Sequence, residues 1–131
     1  MKKKPKQTPF DSERAFLFAV LRKKLLTLGG VEEKMTFERG KPTPAFYVGN
    51  RQLCHSHLEE TRFGVTFSLS AQKDFPNVRT DEKISPGLKR KIKSSKSLRG
   101  THWVWLEIKA EKDIEKILPV LRLKHARIIA A

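Results

Sequence analysis

Between Thr61 and Ser70 the residues alternate without a break. Phe63, Val65, Phe67 and Leu69 fall on one side of an extended chain, and Arg62, Gly64, Thr66 and Ser68 fall on the other. A strand with one apolar and one polar face belongs in an antiparallel sheet that is packed on one side and open on the other. The same period recurs at His102 to Lys109, with Val104, Leu106 and Ile108 on one face and Trp103, Trp105, Glu107 and Lys109 on the other. Gly49 and Asn50, between Tyr47-Val48 and Arg51-Gln52-Leu53, read as a two-residue hairpin turn. A further short strand is expected around Met35 to Glu38, closed off by Gly40, Pro42 and Pro44, whose rings deny ladder hydrogen bonds.

Helices to cover such a sheet stand at both ends of the chain. Phe18, Leu21, Leu25 and Leu28 recur at spacings of three and four, with Leu17 alongside, and Gly29-Gly30 ends the run. Asp11 or Ser12 can cap this helix, and Arg22, Lys23 and Lys24 near its end suit the helix dipole. At the other end Ile114, Ile117, Leu118 and Leu121 have helical spacing, with Pro119 expected to kink the helix or to begin a second one. The fold class expected is α+β, with an N-terminal helix, four to five antiparallel strands and one or two C-terminal helices.

With 131 residues the chain has the length of one domain, and eight Phe and two Trp supply bulk for its core. The domain is expected over 11–131, preceded by a flexible basic arm at 1–10 and carrying a basic insert at 79–100. The insert is polar and broken by Pro86, Gly87 and Gly100, although Ser85-Pro86 could start a short helix through Leu88 and Ile92. A single cysteine, Cys54, cannot form an internal bridge, and no export signal or membrane-spanning run is read, so a soluble, cytoplasmic protein is expected.

Charge sets the functional question. Lys and Arg number 28 against 14 Asp and Glu, a net of +14. Lys2, Lys3, Lys4 and Lys6 supply four of these charges, and residues 79–100 carry eight cations and two acids. Such a field attracts polyanions, although basic tails and loops also keep a chain soluble. The insert ends in Lys89, Arg90, Lys91, Lys93, Lys96 and Arg99, directly before the strand that holds Trp103 and Trp105. Exposed aromatic rings beside cations suit single-stranded nucleic acid, since bases stack on the rings while Lys and Arg track the phosphates. The more ordinary expectation is that a helix, or the 79–100 segment itself, covers that face and makes both tryptophans core packing. Exposure of Trp105 decides between them.

No catalytic set is legible. The chain has no Walker loop, Gly-x-Gly-x-x-Gly, Gly-x-Ser-x-Gly or His-Glu-x-x-His pattern. His55, His57 and Glu59 alternate onto one strand face and could approximate two imidazoles and a carboxylate, but no further ligand is placed and no metal or cofactor is assigned. Cys54 points to the opposite face and is expected to be a buried, inert thiol.

Gly30 to Glu33 (Gly-Val-Glu-Glu), the His-Trp-Val strand at His102 to Val104, and the helix opened by Glu111-Lys112-Asp113-Ile114, taken in this order of elements, resemble two sets of small bacterial domains. These are the MmcQ/YjbR-like family and the YdhG-like domains of unknown function. The likeness spans most of residues 12–128 and implies a compact α+β domain with an antiparallel sheet flanked by helices. On the YjbR-like side it also implies DNA binding through a frataxin-like fold. The basic insert from Arg79 to Arg99 departs from that pattern. The sequence therefore points first to a non-catalytic polyanion-binding module, with nucleic acid the leading partner and no membrane. The alternatives are a protein-interaction or adaptor domain using the sheet or Ile128 to Ala131, and a metal-dependent enzyme on the His55, His57 and Glu59 face.

Overall fold

The computed structural model of the chain describes residues 13–59 and 62–130. The basic arm with Lys2, Lys3, Lys4 and Lys6, the expected cap at Asp11 or Ser12, and Ala131 lie outside them. The described chain runs as α1 (Ala15–Leu26), β1 (Val31–Glu38), β2 (Lys41–Val48), β3 (Arg51–Leu58) and β4 (Phe63–Ser70). It continues through α2 (Phe75–Thr80), α3 (Pro86–Lys93), β5 (Lys96–Leu98), β6 (Thr101–Glu107) and α4 (Glu111–Ala130). The strands form one antiparallel sheet in the order β1-β2-β3-β4-β6-β5. The α+β class expected from the sequence is the one observed.

Among the described residues six strands are present where four to five were expected. The additional strand is β5, which lies inside the basic insert and is only three residues long. Arg99 and Gly100 both take positive φ and fold it back on β6, the geometry of a two-residue hairpin turn. Pro42 and Pro44 do not close a strand either, since both stand within β2 opposite Phe37 and Met35 of β1. The ladder from β2 to β3 runs only between Ala45↔His55 and Val48↔Arg51, so at both prolines the missing N–H can face the free side. Pro119 likewise lies inside an uninterrupted α4. The carbonyl it deprives of a donor belongs to Glu115, an exposed residue that solvent can serve.

Cross-strand partners share a face, so the register sorts the sheet into two. Phe46, Cys54, Val65, Phe67 and Val104 join the helix residues Leu17, Leu21, Leu25, Leu88, Ile92, Ile114 and Leu118 in a single buried cluster. Burying Phe46, Phe63 and Phe67 completely contributes about 1.5–3 kcal/mol apiece relative to exposure. Over this face α4 packs on β2 and β3, α1 lies beside β1 and α4, and α3 lies against β6. The helices pack on this face, and among the described residues the opposite face meets only the end of α4, at Ser68 and Trp103, although Thr43, Ala45 and His55 at its centre are themselves buried.

Candidate nucleic-acid interface

That opposite face carries a row of residues in direct register: Lys34, Ala45, His55, Thr66 and Trp105. Beside it runs a second row of Ser68, Trp103 and Lys96. The face is therefore aromatic and polar. The Lys34 ammonium lies 5.2 Å from the Tyr47 ring centre, Gln52 donates to the Tyr47 hydroxyl at 3.2 Å, and His55 Nδ1 lies 2.8 Å from Gln52 Oε1.

The expectation that a helix or the 79–100 segment covers both tryptophans is corrected for Trp103 alone; Trp105, on which the question turned, is not exposed. The buried residues Leu88 and Ile92 turn α3 toward β6 from the other side, leaving Trp103 45% exposed. Trp105 is half-buried for a different reason. Its indole lies on Gly64, where an added Cβ would come within 2.6 Å of the ring, and the Arg62 guanidinium sits 5.0 Å from the ring centre. Only glycine permits so close an approach, so Trp105 forms a flat floor while Trp103 is the more exposed of the two.

The structure divides the cations expected to meet phosphates. Lys96 is the cross-strand partner of Trp103, and Arg99 occupies the β5–β6 turn. Lys89, Arg90, Lys91 and Lys93 lie on α3, in the helix layer. Alternation along β6 decides which face the tryptophans take, but the tertiary packing of α3 decides where its cations go.

Three cations that sequence reasoning missed lie near Trp103 instead. The ladder from β3 to β4 ends at His55↔Thr66, while β4 continues alongside β6 as far as Ser70↔Thr101. Lys124 of α4 fills the split, donating to the Leu53 carbonyl at 3.2 Å and to Ser68 Oγ at 3.4 Å. A cleft of about 380 Å³ opens at this point, lined by Trp103, Arg51, Gln52, Ser68, Lys124 and Arg127. Asp74 holds Arg127 in place, accepting from its Nε at 2.6 Å and its Nη2 at 2.8 Å. This pairing raises the guanidinium above its ordinary range. The one sequence signal for Lys124 was a lysine three residues after Leu121, on the apolar stripe of α4.

Burial pulls the Lys124 ammonium down to about 8, with Cys54 and Asp74 opposing the shift. Burial also pushes the Cys54 thiol up to about 12, so it stays protonated and inert, the state expected from sequence. Between pH 8 and the ordinary lysine value of 10.5, the unfolded chain keeps a proton that the folded chain has released, so stability rises with pH there. Above pH 9 the unfolded thiol ionises while the buried one does not, so the gain levels off, and above 10.5, where the lysine no longer contributes, stability falls. Urea denaturation should show a gain of about 1 kcal/mol from pH 8 to 9. Lys124→Met should abolish the gain, and an unchanged pH profile in that variant would contradict the assignment.

The imidazoles of His55 and His57 meet at 4.7 Å between ring centres, and burial lowers both below the ordinary histidine value. They share the face expected of them, but no group of three His, Cys, Asp or Glu among the described residues is placed to hold a metal ion. No helix of the described residues is long and apolar enough to cross a membrane. Comparison of the chain with family models, curated proteins and solved structures finds no match.

Proposed function

We propose that this chain is a non-catalytic binding module for single-stranded nucleic acid, which it holds on the open face of the sheet. One observation carries the reading: Trp103 is exposed on the face opposite the helix layer, paired with Lys96 and beside a cleft lined by Arg51, Lys124 and Arg127. A base stacked on the Trp103 indole would place its flanking phosphates toward Lys96 and Arg51, the exposed cations of this group, and neither contact needs a particular base. The net charge of +14 draws the polyanion in from a distance. Nothing in this reading rests on the resemblance to the YdhG-like and YjbR-like domains, which supplies none of these residues.

The test is a titration of a labelled single-stranded oligonucleotide at several salt concentrations. Log affinity should fall linearly with log salt, with a slope of about −0.7 per phosphate neutralised. An affinity that does not respond to salt would remove the proposal.

A second reading, a protein-interaction module, draws on Met35 and Phe37, which are 57% and 67% exposed on the edge strand β1. Partners captured on that basis would survive nuclease treatment, whereas nucleic-acid-bridged partners would not.

A further inference from the structure

Resting on that reading, we infer that a second nucleotide subsite lies in the groove between α2 and α3, and that a bound strand reaches it from Trp103 by passing round the β5 edge of the sheet. The groove encloses about 250 Å³. Phe75, Val78 and Ile92 form its floor, and Arg79, Arg90 and Lys93 stand on its rim. Lys89, also on the rim, donates to the Arg79 carbonyl at 2.9 Å and so ties the two helices together. No carboxylate lines the groove. Cations late in a helix complement its dipole, which accounts for Arg79 and Lys93 individually. The dipole does not require cations from two helices to converge over an apolar floor. A ligand that alternates flat apolar rings with anions meets both surfaces, and a nucleotide chain has that chemistry.

The route between the subsites is short. His102 and Trp103 are neighbours in β6 and point to opposite faces, and the His102 ring lies 4.4 Å from the Phe75 ring in the groove floor. The groove and the Trp103 surface therefore stand back to back across the sheet edge. Only the three-residue β5 closes that edge. Lys96 lies opposite Trp103 and Arg99 lies in the turn, so cations mark the way round. The separation of the basic run from the tryptophans, which breaks the single cluster expected from sequence, becomes a continuous track once the strand turns the corner.

The experiment compares wild type, Arg90→Ala/Lys93→Ala, Lys91→Ala and Trp103→Ala for binding an oligothymidylate of about 15 nucleotides, long enough to reach both subsites. Arg90 and Lys93 are exposed, so the buried contacts of α3 through Leu88 and Ile92 stay intact. Lys91 points to the other side of α3, toward Leu106 and Asp113, and its variant shows what removing one α3 charge outside the groove does. The double variant should bind at least about fivefold more weakly than wild type, with the salt slope shallower by about 1.4. Lys91→Ala should remain near wild type. A double variant with wild-type affinity and slope, or one no weaker than Lys91→Ala, while Trp103→Ala still weakens binding, would overturn the groove and leave the open-face reading standing. Wild-type protein that binds no oligothymidylate would overturn both.

Discussion

Trp103→Ala is expected to weaken binding of a single-stranded oligonucleotide by about tenfold to a hundredfold. Stacking of one base on an aromatic ring contributes about 1–3 kcal/mol, and Trp103 is the more exposed of the two tryptophans. The same substitution should cost the fold about 2 kcal/mol, because a ring that is 45% exposed still buries about half of a large apolar surface. The salt slope should stay at its wild-type value, since the indole neutralises no phosphate. That separates the tryptophan from the cations, whose removal lowers the slope. Trp103→Phe should retain most of the affinity. Fluorescence anisotropy of a labelled strand reads the affinity, and urea denaturation reads the stability.

Asp74→Ala should have the largest effect on stability, a loss of about 3 kcal/mol in urea denaturation. Asp74 is 3% exposed, and its carboxylate accepts two hydrogen bonds from Arg127 and a third, at 2.7 Å, from the Ser70 N–H. Removing it leaves a guanidinium and a backbone donor without their partner in a largely buried position. Arg127 is 21% exposed, which lets water recover part of the loss and keeps the cost at the lower end for a buried pair. Combining Asp74→Ala with Arg127→Met should cost less than the two single substitutions added together, because the second removes the charge that the first strands. The pair joins α2 to α4 beside the split in the sheet. Its loss should therefore also loosen the cleft beneath Trp103.

The elements that carry their own periodicity were legible in the sequence. Phe63, Val65, Phe67 and Leu69 alternate because both faces of β4 have fixed surroundings, and Leu17, Leu21 and Leu25 recur because α1 has one buried side. What escaped depends on partners distant in the chain. Three residues of β5 hold no period, and β6 supplies the ladder that makes them a strand. Pro42 and Pro44 read as breakers because nothing local shows that one side of β2 is free at that point. For the site, alternation placed Trp103 and Trp105 on one face but could not say which face the helices would take. Lys124 was missed because its acceptor at Leu53 lies 71 residues away and exists only where two strands part. Gly64 carries no sign in the sequence that it is the seat of Trp105; the register of β4 against β6 makes the two meet.

The central claim, that a base stacks on Trp103, can be read from that residue directly. Trp105→Phe leaves Trp103 as the sole tryptophan of the chain. On titration with a single-stranded oligonucleotide, its emission should be quenched along the same curve as the anisotropy of the labelled strand and should recover when salt releases the complex. Saturable binding that leaves the Trp103 emission unchanged would place the strand elsewhere and contradict the account.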